Sequence, residues 1–184
     1  LIEKAKIKEG NVILISGASG GIGQACVELA KYLGAKVICI AGSNKKKVAL
    51  KKIKADLILL ENENIEKPIM EFTNNKGVDI VLDINGHLKY ENILRYVIWN
   101  GKYLIVGFTD NNITSIKTNY ILIKGLEVLG IRAGEYMRRQ TNTKRKKILK
   151  EIFDLAEKNI LITKDYKIKN FDKLKEGLLK IKNR

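Results

Sequence analysis

Four glycines, Gly17, Gly20, Gly21 and Gly23, crowd into the seven residues that separate the apolar run Val12-Ile-Leu-Ile15, with Ser16, from Gln24-Ala-Cys-Val-Glu-Leu-Ala-Lys-Tyr-Leu33. Residues without a Cβ tolerate positive φ, expose bare N–H groups to a ligand and let a helix pack closely on the strand before it. The first turn of that helix carries N–H donors with no intrahelical acceptor and a partial positive charge, which together suit a pyrophosphate. Glycine-dense turns also serve as hairpin or cap chemistry. What favours the phosphate is a second strand, Lys36-Val-Ile-Cys-Ile-Ala41, at the distance a βαβ unit requires. The stretch is expected to be a dinucleotide site.

In such a unit an Asp or Glu at the end of the second strand binds the free 2′-hydroxyl of NAD. Here the strand ends Ile40-Ala41-Gly42-Ser43-Asn44 and runs into Lys45, Lys46 and Lys47, with no carboxylate. Small residues, a hydroxyl and cations suit a 2′-phosphate, so NADP(H) is expected over NAD(H). Lysines that only solvate a helix start are the plainer alternative, and the missing acid counts against NAD even then.

These residues need a sheet to position them. Leu1 to Lys8 reads as a helix end or connector, with a turn at Glu9-Gly10. After the second strand, Lys45 to Ile53 reads as helix, Asp56 to Leu60 as a short buried strand, and Ile65 to Phe72 as a short helix that tolerates Pro68 in its first turn. Val78 to Asp83 is a fourth strand, apolar in the manner of parallel sheets. Leu88 to Val97 reads as helix, Lys102 to Phe108 as a fifth strand entered through the turn Asn100-Gly101, and Leu126 to Ile131 as a sixth. Two amphipathic helices, Lys144 to Asn159 and Phe171 to Lys182, flank a basic connector. Six strands alternating with helices imply a Rossmann-type, doubly wound α/β fold with a mostly parallel sheet, one domain over residues 1–184. The carboxyl ends of strands four and five should reach the same crevice, which makes Asp83 to Gly86 and Val106 to Phe108 candidates for the nicotinamide side. Gly107 would let the ring approach the backbone; Phe108 either borders it or belongs to the core.

The chain has 184 residues, 45% of them hydrophobic, and a single proline. That is enough for one well-buried domain and short for two. No apolar run reaches the roughly 18 residues a membrane span needs, and no signal-type segment is present. The chain begins at Leu1, so the native start is expected upstream, and a cytoplasmic location is the default. Cys26, Cys39 and the single histidine, His87, lack metal-ligand or redox spacing, which favours buried thiols over a zinc site. The formal net charge of +15 would attract polyanions. The densest run, Arg138, Arg139, Lys144, Arg145, Lys146 and Lys147, has no interleaved aromatic for base stacking, so a solvated surface is favoured over a nucleic-acid face.

The ordered set Ala5-Lys-Ile-Lys-Glu-Gly10, Gly17-Ala-Ser-Gly-Gly-Ile-Gly23, Ala41-Gly-Ser with Lys46, Ala55-Asp56, Gly77-Val-Asp-Ile-Val-Leu-Asp83, Gly101, Val106-Gly-Phe108, Asn119, Lys124-Gly125, Gly130 and Arg138-Arg139 resembles the cofactor-binding domain of zinc-independent medium-chain reductases, the quinone oxidoreductase or zeta-crystallin group. The resemblance covers nearly the whole chain. It implies pyrophosphate contacts from Ser19, Gly20, Gly21 and Ile22, and 2′-phosphate contacts near Gly42, Ser43 and Lys46. It implies nicotinamide contacts from Ile105, Val106, Gly107 and Phe108 and from Ile131, Arg132 and Ala133. The implied activity is hydride transfer from NADPH to a quinone or an α,β-unsaturated carbonyl, by a homodimer paired through an edge that Ile121 to Ile131 would supply. No catalytic residue is assigned, because the family's cleft lies against an N-terminal catalytic domain absent from this chain, as is the family's final return strand. Three positions depart from the pattern: Glu61 replaces a usual Tyr or His, His87 a usual small residue, and Lys54 a usual glycine.

Two alternatives stand beside it. Gly17-x-x-x-Gly21-x-Gly23, Asn85-Gly86 and Tyr120-x-x-x-Lys124 mimic a short-chain dehydrogenase, in which Tyr120 would be the acid and Lys124 would lower its pKa. The spacing from Gly86 to strand five, about fifteen residues, is too short for that family's long helix. The other alternative is a catalytically inactive cofactor-domain remnant that binds nucleic acid or another polyanion through its basic surface.

Overall fold

The computed structural model describes residues 1–61, 64–86, 93–108, 113, 115–162 and 170–182. Strands β1 (Val12–Ser16), β2 (Lys36–Ala41), β3 (Leu57–Leu60), β4 (Val78–Asp83), β5 (Val97–Ile105) and β6 (Glu127–Gly130) form one parallel sheet in the order β3-β2-β1-β4-β5-β6. Helices α1 (Gly21–Tyr32), α2 (Asn44–Lys52), α3 (Glu66–Phe72), α4 (Thr118–Lys124), α5 (Ala133–Arg138), α6 (Asn142–Glu157) and α7 (Leu174–Lys182) lie between and after the strands. This is the expected doubly wound α/β architecture.

The alternation of β1 shows how the two layers form. Ile13 and Ile15 point to one face, among Val27 and Ala30 of α1 and Leu50 of α2, while Leu14 points to the other, among Ile69 of α3, Ile93, Leu94 and Leu126. The three β1 side chains are at most 1% exposed, and burying each contributes about 1.5–3 kcal/mol. A strand buried on both faces must be apolar throughout, which is why the run is unbroken. At the amino ends, carboxylates take N–H groups near the start of two strands: Asp79 accepts from Val12 N at 2.7 Å, and Asp56 from Val37 N at 2.7 Å.

Three expectations need correction. The helix expected over Leu88 to Val97 lies partly outside the described residues; within them, Ile93–Tyr96 is a 3-10 turn and Val97 already opens β5, paired with Val78. Val97, Ile98 and Trp99 are β formers, and Ile93, Leu94 and Tyr96 are buried as a turn can bury them. The Asn100-Gly101 turn is a bulge inside β5 rather than its entrance: the register slips between Val78 and Ile80, Asn100 takes φ 57, and the strand ends at Ile105, short of Phe108. The edge expected from Ile121 begins later, because 118–124 is helical and closes on Gly125 at φ 58. Only Glu127–Gly130 is strand.

Candidate functional site

The strand registers bring one row of residues to the carboxyl edge of the sheet. Ser16 pairs with Asp83, Asp83 with Ile105, and Ile105 with Gly130, while Ala41 pairs with Leu60 further along. From β1 the chain winds outward through β2 to β3 on one side, then crosses back to β4 on the other side of β1 and continues outward to β5 and β6, so the strand order reverses beside β1, where α/β sheets bind ligands.

The glycine loop crosses that point. Gly17 has φ 66, and a Cβ there would stand 2.5 Å from Asn85 Oδ1, so the loop lies directly on the turn after β4. A Cβ on Gly23 would strike the carbonyl of Gly17 and the backbone of Ala18, so α1 rests on the loop that precedes it. Gln24 Nε2 donates to the carbonyl of Ser19 at 2.8 Å and holds the loop's far side. Gly20 caps α1 with no side-chain hydrogen bond, and the first turn holds no acidic residue. Gly20, Gly21 and Ile22 are exposed and Ser19 is half-buried. The cradle thus offers unprotected helix-terminal N–H groups to an anion and no competing carboxylate, which fits a diphosphate.

Beyond β2, Gly42, Ser43 and Lys46 are exposed. Ser43 caps α2, its Oγ accepting from Lys46 N at 3.3 Å. As expected, β2 brings no acid. The end of β3 does: Glu61 N donates to Ala41 O at 3.0 Å, and a Cβ on Gly42 would stand 3.4 Å from Glu61 Oε2 and 3.7 Å from Lys46 Nζ. Glu61 is the departure that the family resemblance singles out; the second strand's own end carries no such signal, because parallel pairing of β3 with β2 is what delivers this carboxylate.

On the other side, Val106 N donates to Asp83 O at 2.8 Å and Ile131 N to Ile105 O at 2.7 Å, so pairing continues past the strand ends and keeps 105–107 beside 131. Ile105, Val106, Gly107 and Ile131 are half-buried; Arg132 and Ala133 are exposed. The ring of Phe108 covers Gly86, where any Cβ would collide with it, and at 49% exposure Phe108 lines the surface rather than the core. Asp83 differs from expectation. It is buried, and Oδ1 accepts from Ser16 Oγ at 2.6 Å and from the N–H groups of Asn85 and Gly86 at 3.2 and 2.9 Å, while Oδ2 accepts from Tyr103 OH at 2.6 Å. Burial and the neighbouring carboxylate push the Tyr103 hydroxyl far above the usual phenol range. Asp83 therefore shapes the crevice from beneath. Its signal in the sequence was an ionisable residue closing an otherwise apolar buried strand; Ser16 and Tyr103 gave none.

Tyr120 and Lys124 lie elsewhere. Lys124 Nζ donates to the carbonyls of Arg95 and Val97, and Tyr120 OH accepts from Arg95 Nε at 2.9 Å. Val97 opens β5, so this pair sits at the amino end of the sheet, opposite the glycine loop. It cannot serve as the acid and its lysine for a ligand in the crevice.

Other features are occupied with the fold. Arg138 and Arg139 pair with Glu135 at 2.8 Å, Arg145 donates to the carbonyls of Gln140 and Arg138, and Lys144 lies 5.6 Å from the centroid of the Tyr136 ring. Cys26 and Cys39 are free thiols; burial pushes both up, Cys39 to about 12. Among the described residues no group of three or more His, Cys, Asp or Glu is placed to hold a metal ion, and no helix is long and apolar enough to cross a membrane. His87 lies outside the described residues.

Residues 21–152 match the family model described as zinc-binding dehydrogenase. The chain belongs to that family. Quinone oxidoreductase-like protein 2 of Rattus norvegicus is 28% identical over 135 residues, 72% of this chain and 39% of that protein. Acryloyl-coenzyme A reductase of Sulfurisphaera tokodaii is 30% identical over 125 residues, 67% of this chain and 36% of that protein. Among solved structures, that of Escherichia coli quinone oxidoreductase complexed with NADPH superposes with a TM-score of 0.80 at 24% identity, over 90% of this chain and 51% of that one. These matches bear out the resemblance to the quinone oxidoreductase group of medium-chain reductases and the Rossmann-type fold. The chain spans about two fifths of the length of the quinone oxidoreductase-like relatives and of the acryloyl-coenzyme A reductase it matches.

Proposed function

We propose that this zinc-binding dehydrogenase domain is the NADP(H)-binding part of an oxidoreductase that reduces a quinone or an α,β-unsaturated carbonyl without zinc. The observation that carries the reading is the open head of α1 at the sheet's switch point, uncapped, free of acid and built from glycines that side chains would obstruct. Ser19, Gly20, Gly21 and Ile22 would hold the diphosphate. Ser43 and Lys46, beside Gly42, would bind the 2′-phosphate, and residues 105–108 with 131–133 would border the nicotinamide. When bound, the coenzyme supplies the hydride; the protein binds and orients it. Residues 1–184 act as one domain whose acceptor cleft forms against a catalytic domain of the kind the family carries. We also propose a homodimer through β6, which is the outermost strand of the sheet among the described residues and so can pair with a second copy.

Titrating the chain with NADPH and NADH by fluorescence, with an adenosine 2′-phosphate competitor, tests the reading. Tighter binding of NADPH, displaced by the competitor, is expected. Preference for NADH would overturn the coenzyme assignment.

A further inference from the structure

The pocket assigned to the 2′-phosphate contains a charge of the wrong sign. Lys46 reaches Gly42 from α2 and Glu61 reaches it from the end of β3, to 3.7 Å and 3.4 Å of where a Cβ on Gly42 would be. The Glu61 backbone is tied to Ala41 by its N–H, at 3.0 Å, so the side chain starts beside the last residue of β2. The residue is half-buried, and any group laid over Gly42 falls well inside the roughly 8–10 Å over which salt screens charges at moderate ionic strength.

A carboxylate at this place acts in two opposed ways. It repels a dianionic phosphate and offsets part of the field of Lys46. It also offers acceptor oxygens to ribose hydroxyls, as an acid at the end of the second strand does in an NAD site. We propose that Glu61 is the specificity-determining residue of this pocket: it supplies from β3 the carboxylate that β2 lacks, and so narrows the margin by which NADPH is preferred over NADH. The proposal rests on the NADP(H) reading above, since the phosphate is what Glu61 opposes.

Glu61→Gln keeps the shape and removes the charge; Glu61→Asp keeps the charge. Dissociation constants of both coenzymes for the full chain and each variant are measured by fluorescence at low and high salt. Glu61→Gln is expected to tighten NADPH roughly three- to tenfold, the size of one like-charge contact in a half-exposed setting. NADH should be unchanged or weaker, and the gain should shrink at high salt. Glu61→Asp should leave the NADPH-to-NADH ratio within about twofold of the parent, since the charge it keeps sets that ratio. A ratio unmoved by Glu61→Gln, or moved equally by Glu61→Asp, overturns the role of Glu61 while a parent preference for NADPH keeps the coenzyme reading. A parent that prefers NADH but swings toward NADPH in Glu61→Gln does the reverse. Failure of the parent to bind either coenzyme overturns both.

Discussion

Tyr103 donates its hydroxyl proton to Asp83 Oδ2 at 2.6 Å, with both residues only 3% exposed. The other oxygen of Asp83 accepts from Ser16 Oγ, and Ser16 Oγ accepts in turn from Ile84 N at 3.2 Å. One buried carboxylate therefore ties together the carboxyl ends of β1, β4 and β5, the edge on which the glycine loop rests. A buried charge is tolerated when its lone pairs are met, and here four donors meet them.

Removing the Tyr103 hydroxyl should be costly in a pH-dependent way. Tyr103→Phe leaves Oδ2 without that donor, and a loss of about 1–3 kcal/mol is expected in urea unfolding near neutral pH. The folded state raises the pKa of Tyr103 above its unfolded value of about 10. Its protonated form is the stabilised one, so the contribution is full below about pH 10 and falls away above it, by about 1.4 kcal/mol per pH unit. The parent should lose stability more steeply than Tyr103→Phe above about pH 10; parallel curves would show that the hydroxyl is not so held.

The glycines of the loop differ in what they tolerate. A Cβ on Gly23 meets backbone atoms of Gly17 and Ala18, which cannot swing aside, whereas a Cβ on Gly20 stands 3.5 Å from Gly17 O, an ordinary contact. Gly23→Ala is expected to cost about 1–3 kcal/mol and to weaken NADPH at least tenfold by lifting α1 from the loop. Gly20→Ala, at φ −76, should cost less than about 1 kcal/mol. Thermal unfolding of the pair, together with NADPH titration of Gly23→Ala, separates the two positions.

How legible this was depended on whether a feature is local. The strand, glycine turn and helix of residues 12–32 follow from an apolar run and residues with unusual backbone freedom, both visible in a short window. Pro68 likewise sits in the first turn of α3. Features set by pairing between distant segments were not visible. Glu61 reaches Gly42 only because β3 pairs with β2, and Asp83 meets its side-chain donors only because β1 sets Ser16 opposite it and β5 brings Tyr103, two residues before its register partner Ile105, within hydrogen-bond reach. Val97 falls in a stretch expected to be helical because a short run of apolar residues carries no period that separates a turn and strand from a helix.

Lys54, a position where the family resemblance implies glycine, takes φ 59 just after α2. A side chain in the left-handed region costs roughly 1 kcal/mol, partly offset by the greater freedom glycine gives the unfolded chain. Lys54 is exposed, so little packing is lost on removing it. Lys54→Gly is expected to raise stability by about 0.5 kcal/mol, read as a higher urea midpoint at unchanged slope.

Lys124 separates the two dehydrogenase families by experiment. Its ammonium bonds two carbonyls at the amino end of β5, and burial lowers its pKa. Lys124→Met keeps the aliphatic stem and removes those bonds, so a loss of about 1–2 kcal/mol is expected. The glycine loop lies at the other end of the strands, out of reach, so NADPH affinity should stay within about twofold of the parent when both are folded. A short-chain enzyme would show the opposite, because there the lysine stands at the coenzyme and tunes the tyrosine acid. A tenfold loss of NADPH binding with stability intact would return Tyr120 and Lys124 to the active site.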